Sequence, residues 1–596
     1  MPLNIEDYAL ISDCHTAALV GKDGSIDWLC LPRYDSPSTF GALLGEPDHG
    51  RWLLRPKDSA ALPARYYDGD TMILVTRWAT PTGTVLVQDL MPHHNRRADI
   101  LRRVRGIRGT VEMDQDLRIR FAYATALPWV HQVDDEQFCL LAVAGPDATV
   151  YRGPELTADG TSHRGSFTVN AGDVVDIEFT WYPSHRAVPA PLDGDFQLQE
   201  TRTWWQNWAD TCNAEGPYRD AVMRSLIVLR ALTHEDTGGI VAAATTSLPE
   251  YFGGRRNWDY RYVWLRDASL TLEVFLNHGY TSEAQNWRDW LLRAIAGDPR
   301  QVQIMYGLSG ERFLPEISLG SLPGYEGAAP VHVGNAAFTQ YQADVLGEVM
   351  IALHRAREAG LVETPFSWSL QRALLDFLGE HWQRPDNGIW EIRGTERNFT
   401  HSRVMAWAAF DRGVRAVTEH GLDGPVAKWS RIRDEIRTQI ETQGFDAGRG
   451  SYTQYFGGTT LDASVLQMPQ VGFCEADDPR MLTTVRAIER ELLKDGLVLR
   501  YQTEAGIDGL PPGEEPFLAC SFWLVEQYAR SGELENAHEL MERLVDLAND
   551  VGLLSEEYDT ATGRQAGNTP QALSHLALVR AADAIVEAER DTERVA

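Results

Sequence analysis

The sequence predicts two domains of different class in series, an N-terminal antiparallel β-sandwich followed by an all-α domain that closes into an (α/α)6 toroid. Three observations predict this fold. The chain has 596 residues, which is too long for one ordinary hydrophobic core. Short runs of alternating hydrophobicity fill residues 1–190, and helical periodicity replaces them from residue 217 onward.

The β-sandwich prediction for residues 1–190 depends on short alternating segments that are separated by turn residues. Residues 72–78, 84–88 and 174–181 alternate in this way, and pairs such as Asp-Gly lie between segments at turn spacing. A proline-rich stretch then ends the region. We therefore expect a linker helix within residues 191–216.

The toroid prediction for residues 217–596 depends on about twelve amphipathic helical segments with no strands between them. They include helices expected over residues 334–360 and 461–470. An even number of helices suits paired hairpins that close into a ring. In such a ring the long loops at one end converge on a central cavity, and loops carry function more often than cores do. The candidate loops and helix starts are residues 258–267, 306–333, 386–398, 500–515 and 553–568.

Charge and hydropathy exclude several classes of partner. The formal charge is -30, with 85 acidic and 55 basic residues, so the surface repels nucleic acid and anionic membranes. A run of about 18 apolar residues, the length that a membrane span needs, does not occur. The N-terminal residues do not resemble a secretory signal. We therefore expect a small neutral substrate, no nucleic-acid or membrane partner, and a cytoplasmic location.

Cysteine and histidine spacing predicts neither a disulfide framework nor a metal site. The six cysteines include no Cys-x-x-Cys pair, which is typical of reduced thiols in the cytoplasm. His93 and His94 are adjacent but lack a suitably spaced carboxylate. We expect no metal ligands and no organic cofactor, and no residue pattern fixes whether the chain forms a homo-oligomer.

Two distant segments each place a glutamate in a setting that suits sugar cleavage. Glu391 follows Trp390 in residues 388–394, and Glu556 lies in residues 553–559. Glycoside hydrolysis uses two carboxyl groups, and an apolar wall such as Trp390 raises the pKa of a general acid. Taken alone, each glutamate also fits a solvated surface turn.

A third segment, residues 258–267, combines aromatic rings with an Arg-Asp pair. Arg266 and Asp267 can donate to and accept from sugar hydroxyls, and alternate aromatic residues can stack on pyranose rings. The alternative is core packing of the rings with a helix-capping Asp267 and a surface ion pair at Arg266. The four aromatic residues are Trp258, Tyr260, Tyr262 and Trp264.

In this order, the motifs resemble glycoside hydrolase family 15, the glucoamylase-like family, in its bacterial form with an N-terminal β-sandwich. The resemblance begins at residues 5–33 and spans nearly the whole chain. Residues 262–267 resemble the motif that grips the non-reducing glucose, 389–391 the segment of the general acid, and 555–559 the segment of the general base. The resemblance implies catalytic roles for Glu391 and Glu556. It implies substrate contacts at Tyr260, Trp264, Arg266, Asp267, Tyr325, Trp390, Arg500, Tyr501 and Glu557.

The resemblance implies an anomer-inverting, exo-acting α-glucosidase in which Glu391 protonates the glycosidic oxygen and Glu556 activates water. Inversion requires the two carboxyl groups to lie roughly 6.5–9.5 Å apart. The first expected substrate is α,α-trehalose, because similar bacterial proteins include trehalases. Isomaltose, maltose and short α-glucans are the alternative substrates. An inverting disaccharide phosphorylase and a non-catalytic sugar-binding protein are the alternative functions.

Two departures from the family pattern concern the subsite for the leaving sugar. Ile392 stands where some members carry a second acid, and residues 324–330 lack a tryptophan that fungal members have near this position. Both changes favour a small sugar over starch-length substrates.

Overall fold

The N-terminal part of the molecule is built from antiparallel strands. The structure, a computed structural model, describes residues 2–58, 60–93, 97–133 and 138–595, so His94 lies outside the described residues. Within them the strands are β1 (Tyr8–Ser12), β2 (Ala17–Gly21), β3 (Ser25–Cys30), β4 (Ser38–Phe40), β5 (Arg51–Pro56), β6 (Leu62–Tyr67), β7 (Leu74–Ala79), β8 (Gly83–Leu90), β9 (Ala98–Arg118), β10 (Trp129–Val133), β11 (Cys139–Ala144), β12 (Asp147–Arg152), β13 (Thr157–Asp159), β14 (Ser162–Asn170) and β15 (Val174–Pro183).

The long strand β9 connects the two halves of this sheet. Its first half pairs with β8 and β15, and its second half pairs with β5 and β14. The two halves face each other through aromatic residues, because the ring of Phe179 on β15 lies 5.8 Å from Trp52 on β5 and 5.4 Å from Phe40 on β4. Such buried aromatic pairs are a large part of core stability. The predicted sandwich is therefore present.

One helix leads from the sandwich to the helical region. A short left-handed turn, α1 (Phe121–Ala124), lies within the sandwich between β9 and β10, whereas helix α2 (Gly194–Ala209) follows β15. The side chain of Asp193 caps α2 by accepting a hydrogen bond from the N–H of Phe196. At the other end of α2, Trp208 stacks on Tyr280 with ring centroids 4.0 Å apart. The linker helix is thus fixed to the helical region by ring packing.

The helical region forms a closed ring of inner helices with outer helices packed against it. The helices are α3 (Arg219–Ala231), α4 (Leu265–Asn277), α5 (Thr281–Ala294), α6 (Asp344–Glu358), α7 (Pro365–His381), α8 (Thr400–Thr418), α9 (Val426–Gln439), α10 (Pro479–Leu492), α11 (Leu518–Arg530), α12 (Leu534–Asp546) and α13 (Ala572–Val595). Contacts run from α4 to α6, α8, a short helix at Ala463–Gln467, α11, α13 and back to α4. These inner elements are largely buried, except for the C-terminal part of α13, whereas the amphipathic outer helices expose one face.

Two helix predictions were wrong in extent. The helix expected over 334–360 begins only at Asp344, because Asn335 caps a separate 3-10 turn at Ala336–Thr339. The helix expected over 461–470 is the 3-10 helix Ala463–Gln467, which Asp462 caps. This short element still occupies one of the six inner positions of the ring.

The first turns of the inner helices lie at one end of the ring, and short hairpins surround them. Trp264 ends the strand β16 (Val263–Trp264) directly before α4, and Glu556 directly precedes β24 (Glu557–Asp559). The short strands are β16 with β17 (Met305–Tyr306), β18 (Ile317–Leu319) with β19 (Val331–Val333), β20 (Phe445–Asp446) with β21 (Ser451–Tyr452), β22 (Leu493–Lys494) with β23 (Leu497–Val498), and β24 with β25 (Arg564–Ala566). This end of the ring therefore gathers the loops that carry the sequence motifs.

Candidate active site

A cavity opens at the end of the ring where the inner helices begin. Its open space, together with the solvent at its mouth, is about 670 Å³. The predicted site residues that line it are Tyr260, Trp264, Arg266, Asp267, Trp390, Glu391, Arg500 and Tyr501. Segments more than two hundred residues apart in sequence thus meet around one space.

Glu391 borders the cavity from a strained and firmly held turn. Its φ is 57°, a left-handed value that is uncommon for a residue with a side chain and is often found at functional sites. The turn is locked because the amide of Asn387 donates to the carbonyl of Ile392 at 2.9 Å, and the amide of Gln340 donates to the carbonyl of Glu391 at 3.1 Å. The backbone therefore directs this carboxyl group with little freedom.

The surroundings of Glu391 favour its protonated form. Burial raises the pKa of this carboxyl, while the positive charge of Arg266 and the indole N–H of Trp264 oppose that effect. The Trp264 Nε1 donates to Glu391 Oε1 at 2.5 Å. Because Oε1 accepts this bond, a proton on the carboxyl group belongs on Oε2, which is the geometry of a general acid.

Arg266 joins the aromatic segment to the segment of Glu391. Its Nε donates to Asp267 Oδ1 at 2.8 Å, and its NH1 donates to the carbonyl of Ile389 at 2.8 Å. The two side chains are 14% and 3% exposed, so the pair is not a surface ion pair. Both side chains line the cavity, where one offers donors and the other offers acceptors.

Three of the four aromatic residues in this segment line the cavity: Trp258, Tyr260 and Trp264. The rings of Tyr260 and Trp264 meet edge to face with centroids 5.4 Å apart. Tyr262 is instead buried away from the cavity. The alternate spacing therefore predicted the position of three of the four rings beside the cavity, and it was wrong for Tyr262.

Glu556 lies next to the cavity but does not line it. It is fully buried, and its Oε1 accepts a hydrogen bond of 2.6 Å from the hydroxyl of Tyr260, which does line the cavity. Its Oε2 accepts a bond of 3.3 Å from the N–H of Asn568. Since both partners are donors, they suit an ionised carboxylate.

The electrostatic surroundings of Glu556 oppose its ionisation. Burial raises its pKa to about 8, and the nearby charge of Glu250 adds to the rise. Arg500 and the Tyr260 hydroxyl act in the opposite direction. A glycine is required beside it, because a Cβ at Gly567 would lie 2.6 Å from Glu556 Oε2. The glutamate is therefore held tightly, and small changes in charge decide its protonation.

Arg500 lies among several buried carboxyl groups, and Arg256 is a second cation beside them. Arg500 donates to Glu250 Oε2 at 2.7 Å, forms an ion pair with Glu514 through its Nε, and lies 3.4 Å from Glu557 Oε1. Burial raises the pKa of Glu514 to about 7 and that of Glu557 well above its usual range. The guanidinium groups of Arg500 and Arg256 are fewer than the acids around them, so the acids of the cluster share protons as a unit.

Glu557 was predicted to contact substrate, but it does not line the cavity. It is fully buried, and its Oε2 accepts the N–H of Glu515 at 3.3 Å while its Oε1 faces Arg500. Two adjacent acids of a strand point to opposite sides, which explains why only one of the two reaches Tyr260. Glu557 therefore orients Arg500 and has no direct path to a sugar.

Tyr325 was also predicted to contact substrate, and the structure places it elsewhere. Its hydroxyl donates to the carbonyl of Leu3 at 2.9 Å and accepts from Arg564 at 2.8 Å. Its ring is fully buried. These contacts tie the N-terminal segment to the helical region, and the cavity lining does not include this residue.

Sequence reasoning missed several residues that line the cavity, above all Glu250, Arg256 and Asp508. Glu250 accepts a bond of 2.9 Å from the indole of Trp258, and Arg256 donates to Asp508 Oδ2 at 2.5 Å. Tyr501 also donates to Asp508 Oδ2 at 3.0 Å. The available signal was the long irregular stretch between α3 and α4, since such loops in compact domains are usually functional.

Among the described residues, no group of three or more His, Cys, Asp or Glu side chains is arranged to hold a metal ion. No helix in the same residues is both long and apolar enough to cross a membrane.

Family models match most of the sequence. Residues 216–583 match the model for glycosyl hydrolases family 15, and residues 1–172 match the model for the N-terminal domain of trehalase-like proteins. Curated relatives include the trehalase of Mycolicibacterium smegmatis, 35% identical over 99% of this chain and 92% of that one. The trehalase of Thermoplasma acidophilum is 35% identical over 96% of this chain and 98% of that one. The isomaltose glucohydrolase of Kribbella flavida is 25% identical over 54% of this chain and 79% of that one.

Among solved structures, a bacterial glucoamylase complexed with acarbose superimposes with a TM-score of 0.76 at 12% sequence identity. The match covers 98% of this chain and 95% of that one. It confirms the predicted fold, a β-sandwich followed by an (α/α)6 toroid.

Proposed function

The chain belongs to glycosyl hydrolases family 15, and from this premise we propose that it is a trehalase, an inverting enzyme that cleaves α,α-trehalose into two glucose molecules. The observation that carries the proposal is the cavity itself, which Glu391, the Arg266–Asp267 pair and Tyr260 line, and which Glu556 adjoins through its hydrogen bond with Tyr260. The trehalase-like match of residues 1–172 and the full-length likeness to curated trehalases support the choice of substrate.

We assign the general acid to Glu391. Burial raises the pKa of its carboxyl group, and Trp264 binds Oε1 so that Oε2 is the oxygen left to carry a proton toward the cavity. The acid protonates the glycosidic oxygen as the bond to the anomeric carbon breaks. Arg266 and Asp267 hold the hydroxyl groups of the non-reducing glucose while this occurs.

We assign the general base to Glu556, which would take a proton from the water that attacks the anomeric carbon on the opposite face. Its two donors, Tyr260 and Asn568, orient the carboxylate. Tyr260 connects it to the cavity, so the attacking water belongs beside the Tyr260 hydroxyl. Arg500 supports the ionised form, since its charge lowers the pKa of Glu556.

The residues at the other side of the cavity suit a small leaving sugar. Arg256, Asp508 and Tyr501 form a hydrogen-bonded group there, and Arg393 lies 4.1 Å from the ring centroid of Trp258. Ile392 is buried beside Phe399 and Tyr501. We propose that this polar rim and apolar wall bind the second glucose of trehalose.

The substrate is tested by measuring glucose release from trehalose, isomaltose, maltose and a short α-glucan. We expect trehalose to be hydrolysed fastest, and proton NMR at early times should show one β-glucose and one α-glucose per molecule cleaved, because only the attacked centre inverts. Turnover of isomaltose or maltose without turnover of trehalose would contradict the substrate assignment. Release of glucose 1-phosphate that requires added phosphate would identify a phosphorylase instead.

We also propose a cytoplasmic location. Cys14, Cys30, Cys212, Cys474 and Cys520 form no disulfide bond in the structure, which suits a reducing compartment. Measuring enzyme activity in fractionated cells tests this, and activity confined to the medium would contradict it.

A further inference from the structure

Three side chains from distant parts of the sequence meet far from the cavity. Cys212 follows helix α2, His278 directly follows the last residue of α4, and Asp583 lies on α13. Helix α4 carries Arg266 and Asp267 at its first turn, so His278 stands about 18 Å away at the other end of the helix. None of the three residues lines the cavity of Glu391.

The contacts in this cluster converge on the sulfur of Cys212. The N–H of Ala214 donates to Cys212 Sγ at 3.4 Å. The imidazole of His278 and the hydroxyl of Tyr280 adjoin the same sulfur. On its other side, His278 Nε2 lies 3.3 Å from Asp583 Oδ2. A thiol, an imidazole and a carboxylate therefore follow one another in order.

The charges of this cluster favour a thiolate beside an imidazolium. Burial lowers the pKa of His278, but Asp583 and Cys212 outweigh burial and raise the pKa to about 9, so the ring is protonated at neutral pH. Burial alone would raise the pKa of Cys212, yet His278 and the N–H of Ala214 bring it below its usual value. The position of His278 at the C-terminal end of a helix further favours its positive charge.

The cluster is open to small molecules. His278 and Asp583 line a wide surface cavity of about 1110 Å³, together with Asn213 and Ala214, the two residues that follow Cys212. Cys212 is partly exposed, whereas His278 is only 4% exposed. Within the described residues, neither ring nitrogen of His278 has a well-aligned hydrogen-bond partner. The partly exposed Cys212 therefore adjoins a buried imidazole at the edge of this cavity.

We propose that Cys212, His278 and Asp583 form a nucleophilic thiolate site that is covalently modified by soft electrophiles. The thiolate attacks an electrophilic carbon, a sulfur–carbon bond forms, and the bond to the leaving group breaks as that group departs with its electron pair. The imidazolium keeps its proton and remains paired with Asp583. The step needs neither an oxidant nor a reductant, because the electrophile is the only co-reactant.

The remaining cysteines provide internal controls. Cys474 is also partly exposed and lines another surface cavity, but burial and the charge of Asp478 raise its pKa to about 12. Cys14, Cys30, Cys139 and Cys520 are buried. Reactive thiolates occur beside histidine and electropositive groups, and buried cysteines in apolar surroundings are inert. Because both are partly exposed, their different electrostatic surroundings should distinguish Cys212 from Cys474.

The test is the rate at which iodoacetamide alkylates each cysteine of the full-length enzyme between pH 6 and 10, followed by peptide mass spectrometry. At pH 7 we expect Cys212 to react at least about tenfold faster than Cys474, with a midpoint below the value of about 8.5 of an ordinary thiol. Equal rates for the two cysteines, or a midpoint for Cys212 at or above that value, would overturn the proposal.

Variants of the neighbouring residues test whether the cluster, rather than exposure alone, sets the alkylation rate of Cys212. His278→Gln should slow the alkylation of Cys212 roughly tenfold at pH 7 and move its midpoint upward. Asp583→Asn should act in the same direction by a smaller factor, and its partly exposed side chain makes the change compatible with folding. Glu587→Gln, in the same cavity, should leave the rate unchanged. An unchanged rate in Asp583→Asn that still releases glucose would contradict the site even if His278→Gln did not fold.

Discussion

The segments of Glu391 and Glu556 place a half-buried and a fully buried glutamate beside one cavity in very different surroundings. Glu391 has one neutral donor, Trp264, and its nearby cations are Arg266 and Arg393. Glu556 belongs to a group in which Glu250, Glu514 and Glu557 share the charge of Arg500. Burial mainly sets the pKa of the first glutamate, while burial and neighbouring charges together set that of the second. Two identical side chains can therefore suit opposite catalytic roles, because their neighbours set their protonation differently.

The largest expected effect comes from removing either carboxyl group. Glu391→Gln and Glu556→Gln should each lower kcat by at least the ~10²–10⁴ of positioned acid–base catalysis, with little change in folding. Steady-state glucose release measures kcat, and thermal unfolding shows whether each variant still folds. A variant that keeps more than a tenth of wild-type kcat would show that its glutamate is not one of the catalytic pair.

Replacing Arg500 should show how strongly the stability of the protein depends on the charge that this residue places among the buried carboxyl groups near Glu556. Arg500→Leu leaves Glu250, Glu514 and Glu557 buried without their cation, which should cost about 3–5 kcal/mol of unfolding free energy. The loss should be largest at high pH, where the carboxyl groups would have to ionise, and smaller at low pH, where protons replace the cation.

Urea denaturation at several pH values measures this loss of stability. Arg300→Leu is the matched control, since Arg300 forms an exposed pair with Asp298 and its replacement should leave stability unchanged. Equal stability of the two variants would mean that Arg500 does not hold the carboxyl group cluster together.

Glu250→Gln should change only the pH limb that belongs to Glu556. The base must be ionised, so activity rises with pH through the pKa of Glu556. The negative charge of Glu250 raises that pKa, and removing the charge should therefore move the acidic limb of kcat/KM to lower pH. The alkaline limb should stay in place. A shift of the acidic limb to higher pH would contradict the assignment of Glu556 as base.

Trp264→Phe changes the surroundings of Glu391 as Glu250→Gln changes those of Glu556, and we expect it to have the smallest effect of these variants. The acid must be protonated, so activity falls as pH rises through the pKa of Glu391. The indole N–H lowers that pKa, and its loss should move the alkaline limb to higher pH. The acidic limb should not move. If the two variants shift the same limb, the two glutamates do not have separate roles.

Motif-bearing residues could be predicted because their local sequence fixes their position. Arg266 and Asp267 form the first turn of an inner helix, and Glu391 follows a tryptophan that packs on Phe517 and Trp523. The order of sheet and helices was predicted for the same reason, because hydrophobic periodicity depends on near neighbours. These features needed no knowledge of distant contacts.

The residues that sequence reasoning missed or misplaced depend on tertiary contacts. Glu250 and Asp508 lie in loops without periodicity, and they reach the cavity only because Arg500 and Arg256 bind them. Tyr325 sits in a loop of similar appearance, yet it binds Leu3 and Arg564 instead. Nothing in the local sequence distinguishes these outcomes, since the partners come from other parts of the chain.

A crystal structure of the Glu391→Gln variant with trehalose bound tests most directly whether Glu391 and Glu556 form the catalytic pair. We expect the amide of residue 391 to reach the glycosidic oxygen, and Glu556 to contact a water on the opposite face of the same glucose. The two side-chain carbons should lie roughly 6.5–9.5 Å apart. If Tyr260 still separates Glu556 from the sugar and no water lies between them, the assignment of the catalytic pair is wrong.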